Sequence, residues 1–71
     1  METARCKAFL AAVETGSFLK AAAVLQYTPS GVSQLVQALE KEVGFVLLHR
    51  SKRGVTVTSE GARLVQPIRE F

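Results

Sequence analysis

At 71 residues the chain holds one small domain, and its 48% hydrophobic content supplies a core and excludes a disordered segment. Aromatic residues make up only 7% and Trp is absent, so that core is built mainly from Val, Leu and Ala, which suits close-packed helices. The net charge of +3 fits an anionic partner such as nucleic acid or an acidic membrane surface, the single Cys6 excludes an intrachain disulfide, and no stretch approaches the ~20 apolar residues of a membrane span.

The first helix is expected from about Glu2 to Thr15, where Cys6, Phe9, Leu10 and Val13 fall at i, i+3, i+4 and i+7 as one buried stripe. Thr15-Gly16 ends it, with Gly16 free to take a left-handed cap. Ser17 caps a second helix over about Phe18 to Leu25, whose Phe18, Ala21, Ala22 and Leu25 repeat the spacing. Its run Ala21-Ala22-Ala23 has minimal bulk and lets another helix approach closely. After a short turn at Gln26-Tyr27, Thr28-Pro29-Ser30 is a strong start signal: Thr as cap, Pro at the first helical position. The third helix, about Pro29 to Val43, carries Val32, Val36, Leu39 and Val43 on one face, and Gly44 ends it. Gly31 in its first turn costs ~1 kcal/mol relative to Ala, tolerable where the backbone must approach something closely.

The apolar run from Phe45 to His49 is expected as a strand, Ser51-Lys52-Arg53-Gly54 as a turn, and Val55 to Thr58 as a second, alternating strand. Thr58 or Ser59 caps a fourth helix, with Glu60 suited to its dipole. Leu64, Val65, Ile68 and Phe71 form its apolar stripe, and Pro67 is expected to kink or weaken it. The stripe looks unfinished at Phe71, so one domain of a longer protein is expected. A cytoplasmic location is also expected, since the N-terminus lacks a signal-peptide pattern.

Helix, helix, short turn, capped helix, basic hairpin, helix is an order that matches the helix-turn-helix unit with a wing. The second helix of such a unit enters the DNA major groove with its N-terminal residues nearest the bases. Ser30, Ser33, Gln34 and Gln37 lie off the valine stripe as uncharged donors and acceptors, suited to base edges. Thr28 and the helix N-terminus suit a phosphate. Arg50, Lys52 and Arg53 place three positive charges in four residues, fit to clamp phosphates or enter the minor groove. A solvated polar helix and a solvated basic loop have the same composition; their combination with the two preceding helices favours the DNA reading. A winged helix that has lost DNA binding and docks a protein through Leu35 is the rival. Catalysis finds no support: there is no Asp, and the six acids are Glu without an acid/base spacing. His49 has no Cys or second His nearby in sequence for a metal and reads as a hairpin surface residue; Cys6 reads as core.

The run from Phe9 through Gly61 resembles the N-terminal domain of LysR-type transcriptional regulators. The resemblance rests on Phe9, Gly16-Ser17-Phe18, Ala21-Ala22, Leu25, the run Thr28-Pro29-Ser30-Gly31-Val32-Ser33-Gln34, Leu39-Glu40, Val43-Gly44, Leu47, Arg50, Arg53-Gly54-Val55, Thr58 and Glu60-Gly61. It implies a mainly α, winged helix-turn-helix fold over residues 1–58: three helices and a two-stranded wing, with the helix-turn-helix core from about Phe18 to Gln37. Residues 59–71 would then begin a linker helix pairing two chains, with Leu64, Val65, Ile68 and Phe71 facing the partner. By the same resemblance Pro29, Ser30, Ser33 and Gln34 contact bases, and Arg50 and Arg53 contact phosphate or the minor groove. The expected partners are double-stranded DNA and a second copy, as a homodimer or a tetramer of the full-length protein. No cofactor is expected in this domain; a small-molecule effector belongs to a C-terminal domain outside these residues. Pro29 stands where the family often has Gln, Gly31 where it has Ala, Leu48 where Phe is common, Leu35 where a polar residue is common, and Leu19 where Thr is frequent. These departures bear on the target sequence more than on the fold.

Overall fold

The computed structural model describes residues 3–70. In chain order these form α1 (Thr3–Thr15), α2 (Phe18–Leu25), α3 (Pro29–Val43), β1 (Leu48–Ser51), β2 (Gly54–Val57) and α4 (Ser59–Glu70). Glu2, expected to open the first helix, and Phe71 lie outside the described residues.

Local hydrogen bonds set most helix ends. Ser17 Oγ accepts the Lys20 N–H at 3.2 Å, and Thr28 Oγ1 accepts the Gly31 N–H at 3.0 Å, each satisfying a donor that its helix leaves without a partner. Pro29 occupies the first position of α3, where a missing N–H costs nothing. At its far end Gly44 turns left-handed at φ 84° and returns its N–H to the Glu40 carbonyl at 2.8 Å. The α2 end is less ordinary, because Gln26 takes the left-handed conformation at φ 61° that glycine usually fills. Tyr27 N–H then reaches back to the Ala22 carbonyl at 2.9 Å, which closes the turn between α2 and α3.

The core forms where α1, α2 and α3 meet. Phe9, Ala12, Ala21, Val32, Val36 and Leu39 are fully buried there. Ala8 and Ala12 are more deeply buried than Leu10 and Val13, which are only half-buried at the core margin. The expected α1 stripe is therefore rotated: α1 packs on both α2 and α3, and the closest approach selects its small residues. Cys6 is core, as expected, at 5% exposure.

β1 and β2 pair antiparallel, with Leu48 opposite Val57 and Ser51 opposite Gly54. The first strand thus starts three residues later than the apolar run suggested, and Phe45 and Val46 are exposed in the connection. Its start is imposed by α3: Glu40 Oε2 accepts the Leu47 N–H at 2.7 Å and the Leu48 N–H at 3.2 Å. Lys52-Arg53 forms the turn, braced by Ser51 Oγ, which accepts the Arg53 N–H at 3.3 Å. Gly54 takes φ 123°, and a Cβ there would strike the Gly16 carbonyl oxygen, which already accepts the Val55 N–H at 2.9 Å. The α1–α2 turn and the hairpin are thereby held together by backbone.

Thr58, the one buried polar side chain in the described core, joins hairpin to α4. Its Oγ1 donates to the Val46 carbonyl at 2.7 Å and accepts the Gly61 N–H at 2.9 Å, while its own N–H donates to the Leu47 carbonyl at 2.9 Å. A Cβ on Gly61 would collide with the Leu47 carbonyl oxygen and lie 2.7 Å from Val57 Cγ2, so glycine lets α4 rest directly on that backbone. The helix runs through Pro67 to Glu70. The carbonyl of Arg63, which loses its donor to the proline, belongs to an exposed turn open to water. Ile68 is 4% exposed and packs with the chain's own core, so it is not free to face a second copy as expected; Leu64 and Val65 are half-buried. The reason is that α4 folds back onto α1 and β2 and uses Ile68 there.

Candidate nucleic-acid interface

The face of α3 opposite its buried valines is polar and open. Pro29, Ser30, Gln34 and Gln37 are exposed, and Ser33 is half-buried between them and the wing. Thr28 is exposed too, but its hydroxyl already caps the helix and lies 3.5 Å from Ser30 Oγ. Pro29 has no N–H and the Gly31 N–H is taken, so the Ser30 amide is the donor this terminus retains for an anion. A Cβ on Gly31 would sit 3.0 Å from Thr28 Oγ1, crowding the capping hydroxyl. Glycine there thus eases the cap at the end nearest a ligand.

The three basic residues of the hairpin divide into two groups. Lys52 and Arg53 are exposed at the turn. Arg50, on β1, instead lies back across the helices: its Nη1 donates to Ser33 Oγ at 3.0 Å, and its guanidinium carbon sits 5.0 Å from the centre of the Phe18 ring. Arg50 Nη2 is also 4.0 Å from Glu40 Oε1. The hairpin is therefore fastened to the polar side of α3, with its cationic turn two residues further along the chain.

Two functional roles escaped the sequence. Glu40 sets the start of the wing, and Arg50 braces the wing against the helix. The distance along the chain hides both, since Arg50 and Ser33 are 17 positions apart. Beside the helix start, Arg5, Tyr27, Thr28, Gly31, Gln34 and Leu35 line a shallow groove. Tyr27 is 45% exposed there, and Arg5 is paired with Glu42 at 3.2 Å. His49, Lys7 and Lys20 are exposed. No described helix is long and apolar enough to cross a membrane.

The family model for bacterial regulatory helix-turn-helix proteins of the lysR family matches residues 4–62. This chain belongs to the LysR family. Among curated relatives of this LysR-family domain, the HTH-type transcriptional regulator YofA of Bacillus subtilis is 39% identical over 66 residues, covering 93% of this chain and 23% of YofA. The chain thus spans about a quarter of the length of the curated relatives it matches, and those are transcriptional regulators. Among solved structures, the CbnR DNA-binding domain in complex with DNA superposes with a TM-score of 0.95 at 36% identity, covering 99% of this chain and 80% of that one. Full-length LysG from Corynebacterium glutamicum with bound effector Arg superposes with a TM-score of 0.89 at 38% identity, covering 99% of this chain and 24% of that one. The winged helix-turn-helix architecture of the LysR family is therefore the fold of this chain, and the expected fold class holds.

Proposed function

We infer that this chain is the sequence-specific, double-stranded DNA-binding domain of a LysR-type transcription regulator. α3 enters the major groove and the hairpin lies along the adjacent backbone or minor groove. One observation carries the reading: the 3.0 Å bond from Arg50 to Ser33, which fastens the wing to the open polar face of α3. Ser30, Gln34 and Gln37 are exposed on that face to read base edges, with Ser33 beside them and Pro29 at the leading end. The Ser30 amide and the positive end of the α3 dipole hold a phosphate. Thr28 acts there by capping the helix rather than by a contact of its own. Lys52 and Arg53 supply the phosphate or minor-groove charge of the wing.

In the whole protein, α4 opens a linker helix that pairs two chains, and within the described part of its apolar stripe Leu64 and Val65 keep surface to bury. A two-fold pair places one recognition helix on each half-site of an operator. The effector-bound LysG supports a small-molecule effector acting on a further domain of the whole protein, and a transcription regulator of this kind works in the cytoplasm.

Binding of the domain to labelled duplex DNA, followed by fluorescence anisotropy over a salt series, tests the reading. Affinity should fall as salt rises, and Lys52→Ala or Arg53→Ala should each make the negative slope of log affinity against log salt shallower by about one. Affinity that is indifferent to salt, or unchanged slopes in both variants, removes the basic wing from the interface.

A further inference from the structure

We propose that Arg50 is a positioning residue that fixes the hydrogen-bonding sense of Ser33, so that Ser33 offers the major groove a donor and not an acceptor. The inference rests on the DNA-reading role of α3 and adds a specificity rule to it.

A serine hydroxyl carries one hydrogen to give and two lone pairs to receive. Both lone pairs of Ser33 face protein donors: Arg50 Nη1 at 3.0 Å and, more weakly, Gln37 Nε2 at 3.5 Å. No acceptor within the described residues takes the Ser33 hydrogen through its side chain, so the O–H is the capacity that remains. The arrangement is held from several sides. Arg50 cannot swing away without leaving the Phe18 ring at 5.0 Å, and Glu40, 4.0 Å from Arg50 Nη2, keeps a negative charge behind the guanidinium. Glu40 is itself held by the backbone amides of Leu47 and Leu48. Reversing Ser33 would give up a charge-assisted hydrogen bond from the exposed Arg50 guanidinium, which then has only water to donate to.

The consequence concerns one base. In the major groove guanine and adenine present N7, guanine also O6, and thymine O4, all acceptors. Cytosine presents its N4 amino group, a donor without a companion acceptor. A donor-only Ser33 thus accepts guanine, adenine or thymine at the base it touches and rejects cytosine on that strand.

The test is selection of binding sites from random duplex DNA by the 71-residue chain, by Ser33→Ala and by Arg50→Met, each first checked for helical content by circular dichroism. Methionine keeps an apolar stem for the Phe18 ring and removes every donor. In wild-type sites, one position should exclude cytosine by about three- to ten-fold, the worth of one net hydrogen bond. Ser33→Ala should lose that preference at that position alone, and Arg50→Met should admit cytosine there while preferences elsewhere persist. Should Arg50→Met not fold, the first comparison still decides: a Ser33-dependent position that tolerates cytosine in the wild type overturns the inference. Equal loss of affinity for all sequences in Ser33→Ala, the mark of a phosphate contact, overturns it as well. Those results leave DNA recognition by α3 intact, whereas a wild-type chain that recovers no preferred sequence overturns both.

Discussion

Replacing Glu40 with alanine puts the joint between recognition helix and wing to a quantitative test. Oε2 of Glu40 accepts the Leu47 N–H at 2.7 Å and the Leu48 N–H at 3.2 Å, and the side chain is 16% exposed. A backbone donor bonded to a charged acceptor contributes about 1.5–3 kcal/mol net. Because both donors share one oxygen, the pair is worth less than twice that, about 2–4 kcal/mol. The Arg50 ion pair, at 4.0 Å and partly exposed, adds at most about 1 kcal/mol. Leu47 is fully buried and Leu48 is 3% exposed, so water is a poor substitute for the lost carboxylate. A domain of this size has roughly 4–10 kcal/mol of stability in total, so Glu40→Ala should remove a large fraction of it. Glu40→Gln retains one neutral acceptor and should cost about half as much. Urea denaturation followed by far-ultraviolet circular dichroism measures both. Glu42→Ala serves as the comparison, since it removes a half-exposed pair with Arg5 and should cost no more than about 1 kcal/mol. If Glu40→Ala lies within about 0.5 kcal/mol of wild type, like an ordinary surface substitution, the carboxylate does not hold the wing.

Gly61→Ala should destabilise by about 1–3 kcal/mol despite alanine's better helix propensity, because the new methyl meets the Leu47 backbone, which Thr58 and Glu40 hold in place. A melting temperature equal to or above wild type would show that α4 can shift freely. Gln26→Gly should raise stability by about 0.5–1 kcal/mol by relieving the left-handed backbone at φ 61°, seen by calorimetry as a melting temperature a few degrees higher; no rise would mean the turn is unstrained. Thr28→Ala should cost about 1 kcal/mol of stability through the lost cap and leave the affinity of the folded domain for DNA at fixed salt nearly unchanged. A sequence-independent loss of affinity of about five-fold or more at fixed salt would instead assign the Thr28 hydroxyl to a phosphate.

Much of the architecture is legible along the chain because its signals act over three or four residues. Thr28-Pro29 opens α3, Gly44 closes it, Ser17 caps α2, and the valine spacing turns one side of α3 inward. The basic turn at Lys52-Arg53 is equally local, since Ser51 and Gly54 frame it within four residues. Such features depend on bonds between near neighbours and survive without knowledge of the rest of the fold.

The tertiary structure alone decided which apolar and charged residues are spent internally. Phe45 and Val46 read like strand, yet pairing begins at Leu48, because an acceptor from α3 meets the chain at Leu47 and Leu48. Ile68 belongs to a stripe that reads along the sequence as partner-facing, yet α4 folds back and buries it against the chain's own core. Arg50 shares its charge and neighbourhood with Lys52 and Arg53 but points to Ser33. Periodicity states that a side chain needs cover or a counterpart; which distant segment provides it follows only from how the helices pack.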